Sequence, residues 1–164
     1  MNYKTAKETA FRSGFVVIAG KPNAGKSTLL NSIADMKIAI VSEKPQTTRH
    51  NIMYIHNDDI SQIIFRDTPG LHVARSKLNE KMMEAANSAI SDADLILLMI
   101  DAKHPEISGI ELNICEKAGV EDVPVFLVIN KVDLVKKENL LHFIDKSRNI
   151  FSFNEIFPVS AKTG

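Results

Sequence analysis

The run Gly20-Lys21-Pro22-Asn23-Ala24-Gly25-Lys26-Ser27 constrains the fold of this chain more than any other stretch. Residues 15–19 before it are a short continuous apolar run, which reads as a buried strand. Behind Ser27 and Thr28, Leu29, Leu30 and Ile33 recur at helical spacing. A strand that passes through a tight loop directly into a helix needs backbone able to curl, and the two glycines supply it. Curled in this way, several N–H groups point inward at phosphate oxygens, and the positive end of the helix dipole lies behind them. Lys26 puts a point charge between the terminal phosphates, and the Ser27 hydroxyl is suited to Mg²⁺. Asn23, Ala24, Gly25, Lys26, Ser27 and Thr28 are therefore expected to hold the phosphates of a nucleotide.

Asn130-Lys131-Val132-Asp133 selects the base. A carboxylate such as Asp133 accepts two hydrogen bonds, and guanine offers a ring N–H and an exocyclic amine side by side. Adenine has no such paired donors on that edge. A site built for those donors leaves polar groups unpaired with the wrong base, worth roughly 10⁴-fold in discrimination. Ser160-Ala161-Lys162 follows the last apolar run and can close over the base, with the Ala161 N–H aimed at its carbonyl oxygen.

Two further stretches complete a switch. Asp67-Thr68-Pro69-Gly70 ends a strand pattern, so Asp67 is expected to act on Mg²⁺ through a water and the Gly70 N–H to meet a γ-phosphate. Thr47-Thr48-Arg49 lies in a polar loop, where one Thr hydroxyl can complete the Mg²⁺ shell while its N–H touches the same phosphate. Spacing does not choose between Thr47 and Thr48. Loss of the γ-phosphate would release both segments, an order–disorder device.

The other runs give the architecture. Residues 95–100 and 125–129 are continuous apolar runs, as expected of strands buried on both faces. Residues 52–55 and 60–65 flank Asn57-Asp58-Asp59 and read as a hairpin. Short strands are also expected at 38–41 and 156–159, and helices at 76–90, around Ile110, Ile114 and Ala118, and at 138–148. Strands alternating with helices imply an α/β fold, a mainly parallel six-stranded sheet with one antiparallel edge strand and helices on both faces. At 164 residues one domain spanning 1–164 is expected.

The formal net charge is zero, so no global basic field advertises nucleic acid. No apolar run approaches the roughly 20 residues needed to span a bilayer. The single cysteine, Cys115, sits in an apolar helical pattern and reads as a buried structural thiol of a reducing compartment. The five histidines lack metal-ligand spacing. His72 is not read as a general base, because phosphoryl transfer rests mainly on positioning and charge stabilisation.

Together, the phosphate loop, Gln46-Thr47-Thr48-Arg49-His50, Asp67-Thr68-Pro69-Gly70-Leu71-His72, Asn130-Lys131-Val132-Asp133 and Ser160-Ala161-Lys162 resemble the Era-type GTPases of bacteria. The resemblance implies a Ras-like P-loop G domain that binds GTP and GDP and hydrolyses GTP slowly with Mg²⁺. The catalytic group would be Lys26, Thr48 and Gly70, with Ser27, Thr48 and Asp67 around the metal; the family pattern favours Thr48 over Thr47. Asn130, Lys131, Asp133, Ser160, Ala161 and Lys162 would hold the base, and Asn23 would help to hold K⁺. Leu71 stands where Ras-type enzymes carry a water-orienting Gln, so turnover on the order of 10⁻⁴ to 10⁻³ s⁻¹ is expected without an activator. The implied partners are the small ribosomal subunit and its rRNA, and the implied location is cytoplasmic, with peripheral contact to the inner membrane. Relatives continue into an RNA-binding KH domain, so a G-domain fragment without it is expected. The alternatives are a non-hydrolysing guanine-nucleotide module, or the G domain of a related tRNA-modifying or ribosome-assembly GTPase.

Overall fold

The structure is a computed structural model that describes residues 10–34, 52–67 and 90–164. Its centre is β1 (Arg12–Ala19), which leads through the glycine loop into α1 (Lys26–Ala34). β2 (Ile52–Asn57) and β3 (Ser61–Asp67) form the hairpin, followed by β4 (Leu95–Asp101) and α2 (Ile110–Val120). β5 (Val125–Asn130), a 3₁₀ turn (Val132–Leu134), α3 (Lys137–Arg148) and β6 (Glu155–Val159) complete the described elements.

The strands form one six-stranded sheet in the order β2-β3-β1-β4-β5-β6. β2 runs antiparallel to β3, and the β1–β3, β1–β4, β4–β5 and β5–β6 pairs are parallel. The expected sheet is thus the observed one. The hairpin turn is built by Asp58, whose carboxylate accepts from the Ile60 N–H at 2.8 Å, the Ser61 N–H at 2.6 Å and the Ser61 hydroxyl at 2.7 Å. Those bonds, the Ser61 hydroxyl foremost, hold the Asp58 carboxyl below its ordinary value.

Strand alternation divides the core in two. Val17 and Ala19 of β1, with Ile96, Leu98 and Ile100 of β4, face α2 and α3, where Ile114, Cys115, Ala118 and Phe143 are buried. Val16, Ile18 and Met99 face the other way, toward Leu30 of α1 and the stacked pair Tyr54–Phe65, whose ring centroids lie 5.8 Å apart. Each central strand therefore has apolar side chains on both faces, which is why these runs lack alternation.

β1 begins earlier than its apolar run. Arg12, Ser13 and Gly14 pair with Ser61, Gln62 and Ile63 of β3, so ladder hydrogen bonds rather than hydrophobic burial recruit them. The expected strand at 38–41 lies outside the described residues, as does the expected helix at 76–90 except for its last position; Ile90 and Ser91 are helical.

The chain leaves β1 and its neighbour β4 toward opposite faces of the sheet. A crevice opens at the carboxyl ends of adjacent strands where this happens, and ligands of open α/β sheets bind there. Gly20, Asp101, Asn130 and Ser160 follow or end β1, β4, β5 and β6 at that edge.

Candidate functional site

The loop after β1 takes the curled form its glycines permit. Gly20 has φ 146°, Asn23 65° and Gly25 99°. A Cβ on Gly20 would collide with the Met99 carbonyl oxygen, and one on Gly25 would collide with Nδ2 of Asn130. Glycine is required at both positions by conformation and by space. α1 begins at Lys26, and its first backbone bond runs from the Leu29 N–H to the Gly25 carbonyl at 2.9 Å. The earlier N–H groups of the helix start have no partner within the helix and line a cradle for an anion. No acidic residue lies in the first turn of α1 to weaken it.

Lys26 is buried at the floor of the loop, and its ammonium donates to the Gly20 carbonyl at 2.8 Å and the Lys21 carbonyl at 3.0 Å. Pro22, Asn23, Gly25, Lys26, Ser27, Thr28 and Lys131 line a cavity of about 430 Å³. A second cavity of about 180 Å³ adjoins it, lined by Gly25, Thr28, Asn130, Lys131, Asp133, Leu134, Ser160, Ala161 and Lys162. Gly25, Thr28 and Lys131 belong to both, so the two form one continuous trough.

Asn130 joins three segments of the trough. Its side chain is buried, its Nδ2 donates to the Ala24 carbonyl at 2.9 Å, and its Oδ1 accepts from the Ala161 N–H at 2.9 Å. One amide thus ties the phosphate loop and the turn after β6 to the end of β5. The Ala161 N–H that sequence reading aims at a base carbonyl donates here to Asn130. The turn itself is closed by the Thr163 and Gly164 N–H groups on the Ser160 carbonyl, at 3.2 and 3.0 Å.

Lys131 takes the left-handed conformation, φ 66° and ψ 36°, which turns the chain into the 3₁₀ turn and leaves Asp133 exposed on the wall of the smaller cavity. Its ammonium donates at 2.6 Å both to the Asn23 carbonyl and to Oδ2 of Asp101. Burial pushes the Asp101 carboxyl up, but hydrogen bonds from Lys131 and the Lys103 N–H, with the Lys131 charge, outweigh it and hold the carboxyl below its ordinary value. Sequence reading did not find Asp101. Its signal was its position: it ends the apolar run of β4 directly opposite Asn130, which ends that of β5.

The structure therefore brings together Asn23, Gly25 to Thr28, Asn130, Lys131, Asp133 and Ser160 to Lys162 on the trough, while the Ala24 side chain is buried behind the loop. Asp67 ends β3 beside Ile18 of β1, close to the loop in the sheet register. Thr47, Thr48, Gly70, Leu71 and His72 lie outside the described residues. The trough suits a nucleoside polyphosphate on two counts: a curled loop whose glycines leave no room for a Cβ, and a buried ammonium that donates to the Gly20 and Lys21 carbonyls at the floor of that loop. For Mg²⁺, the exposed Ser27 hydroxyl lines the phosphate cavity. Among the described residues no group of three or more His, Cys, Asp or Glu side chains could hold a metal alone. A divalent ion here would take its remaining ligands from phosphate oxygens and water.

Residues 15–131 match the family described as 50S ribosome-binding GTPase. The chain is 48% identical over 157 residues to GTPase Era of Syntrophus aciditrophicus strain SB, covering 94% of this chain and 50% of that one. Against GTPase Era of Geotalea uraniireducens strain Rf4 the figures are 52% over 159 residues, 96% and 52%. The chain spans about half the length of the curated relatives it matches. Among solved structures, a variant of Aquifex aeolicus Era bound to GDP·AlF₄⁻ superposes with a TM-score of 0.70 at 38% identity, over 93% of this chain and 52% of that one. Era in complex with MgGDPNP and nucleotides 1506–1542 of 16S ribosomal RNA gives 0.71 at 38%, over 94% and 53%.

Proposed function

The chain belongs to the 50S ribosome-binding GTPase family, and from that premise we propose that it binds GTP and GDP and slowly hydrolyses GTP as a Mg²⁺-dependent conformational switch. The observation that carries the proposal is Asn130, whose one side chain joins the phosphate loop to the turn after β6. That bridge makes occupancy by base and by phosphate a single event.

In this reading the loop N–H groups and the Lys26 ammonium hold the β- and γ-phosphates, and Lys26 offsets charge that builds on the phosphoryl oxygens. Asp133 accepts the paired donors of guanine, with Lys131 on the wall shared by the two cavities and Ala161 closing the far side. Mg²⁺, when bound, neutralises phosphate charge, and Ser27, Thr48 and Asp67 are its proposed holders. Thr48 and Gly70 report the γ-phosphate, and Asn23 assists K⁺. Leu71, which follows Gly70 in the sequence, has no amide with which to orient the attacking water, so in this reading chemistry rests on positioning and charge stabilisation.

The proposed role is in assembly of the small ribosomal subunit, by likeness to the Era relatives. The formal net charge is zero, so any rRNA contact made by this chain would be local rather than through a global basic field. We assign it to the cytoplasm, with peripheral contact to the inner membrane; among the described residues no helix is long and apolar enough to cross a membrane.

Single-turnover phosphate release from γ-labelled GTP, in K⁺ and in Na⁺, tests the reading. Release in the presence of Mg²⁺, faster in K⁺, is expected. No release in either salt would leave a guanine-nucleotide binding module that does not hydrolyse, and equal rates would remove the role given to Asn23.

A further inference from the structure

Ala24 packs the phosphate loop into the apolar cluster that holds Met99 and Val128, and behind the loop lies a cavity of about 280 Å³, with Lys21, Pro22, Asn23 and Ala24 on one side and Met99, Ile100, Asp101, His104 and Glu106 on the other. Polar ties therefore share in setting where the loop sits. Two have been described, Lys131 on the Asn23 carbonyl and Asn130 on the Ala24 carbonyl. The third runs through Lys21 and has no place in the nucleotide motifs.

The Lys21 ammonium donates to Oε2 of Glu106 at 3.2 Å and to the Ser108 hydroxyl at 3.3 Å, and it pairs with Oε2 of Glu111 at 3.6 Å. Glu106 is an exposed partner, but Glu111 is not: the residue is wholly buried in the first turn of α2. Among the described residues neither of its carboxylate oxygens has a hydrogen-bond partner, and the cation it faces is Lys21. A carboxylate costs a great deal to bury without a cation. The Lys21 carbonyl, meanwhile, accepts from the Lys26 ammonium at 3.0 Å and from the Ala24 N–H at 3.3 Å. The tether thus ends on the peptide that holds the phosphate-binding lysine.

We infer that Glu111, acting through Lys21, is a positioning residue for the phosphate loop: it anchors the loop to the start of α2 and sets the geometry with which Lys26 and the loop N–H groups meet the β-phosphate. This rests on the guanine-nucleotide reading above. Asn130 ties the same loop from the base side, through the Ala24 carbonyl, whereas this anchor ties it at Lys21. The anchor acts on phosphate and not on base, and this distinguishes it from a contact that merely stabilises the fold.

The test is the ratio of affinities for GDP and GMP, measured by competition against a fluorescent GDP, for the wild-type chain, Lys21→Met, Glu111→Gln, the double variant and Lys21→Arg. Urea unfolding without nucleotide is followed in parallel. GMP lacks the β-phosphate, so the ratio isolates the loop. Each single variant is expected to lower the GDP/GMP ratio about tenfold, with the double variant no lower than either, because coupled residues do not act additively. Lys21→Arg keeps the charge and is expected to restore the ratio. An unchanged ratio in Lys21→Met, even with a lower unfolding midpoint, overturns the inference, and so does a double variant whose loss is the product of the singles. Lys21→Met leaves the Glu111 carboxylate buried without the cation it faces and is expected to lower the unfolding midpoint; if either single variant does not fold, the double variant, which removes both charges, against Lys21→Arg decides. A wild-type chain that binds neither GDP nor GTP overturns the nucleotide reading and this inference with it, whereas wild-type binding with an unaltered Lys21→Met ratio overturns this inference alone.

Discussion

Asn130 has one amide and uses both ends of it. Removing it in Asn130→Ala leaves the buried Ala24 carbonyl and Ala161 N–H without their partner, and each unpaired group costs about 1–3 kcal/mol. A loss of about 2–4 kcal/mol in urea unfolding is expected, together with weaker nucleotide binding. Gly25→Ala should mimic it by another route, since the added Cβ occupies the space of Asn130 Nδ2. Asp133 behaves differently, because it is exposed and carries recognition rather than packing. Asp133→Asn is expected to keep stability while GTP affinity falls by roughly 10³- to 10⁴-fold and xanthosine triphosphate gains. Unchanged preference for GTP in a competition assay would refute the base assignment. Asp101 supplies a pH dependence whose sign is determined. Its folded carboxyl lies below the ordinary 3.8, so its stabilising effect is complete above that value and is lost as pH falls through the folded value. Acid titration of Asp101→Asn should show a shallower loss of stability below pH 4 than the wild type shows.

Among the elements, α2 joins two roles that its sequence does not separate. Its Ile114 and Ala118 stripe is the ordinary burial face, and Cys115 belongs to it. Burial, with the charges of Glu111 and Glu116, pushes the Cys115 thiol up to about 12. Thiol labelling at pH 8 should therefore be negligible in the folded chain and complete after unfolding; rapid labelling in native buffer would contradict the buried assignment. The strands β4 and β5 were legible because burial on both faces leaves a continuous apolar signature. The start of β1 was not, because Arg12 and Ser13 are held by pairing with β3, and pairing leaves no mark in hydrophobicity. The same limit hid Asp101 and Glu111. A carboxylate at the end of a strand or in the first turn of a helix is common, and only its neighbour across the fold gives it a task.

For the whole molecule, the trough is assembled from chain segments far apart in sequence, so ligand and fold should stabilise each other. A ligand that binds only the folded chain adds about 2.7 kcal/mol at a hundredfold excess over Kd. GDP with Mg²⁺ at that ratio is expected to raise the unfolding midpoint in urea, while ATP at the same concentration should not. Equal shifts from both would mean that the phosphate cradle binds without the base wall. The sequence by itself determined the chemistry: which residues could cradle phosphate, which carboxylate could choose guanine, and which runs had to be buried on both sides. Those properties belong to side chains and to backbone conformations a few residues long. Tertiary structure alone decided how the pieces are held, through Asn130 on Ala24, Lys131 between Asn23 and Asp101, and Lys21 on Glu111. Each of those contacts depends on the strand order that sets β1 beside β4 and β4 beside β5, and hydrogen bonds reach only about 3 Å whatever the separation along the chain.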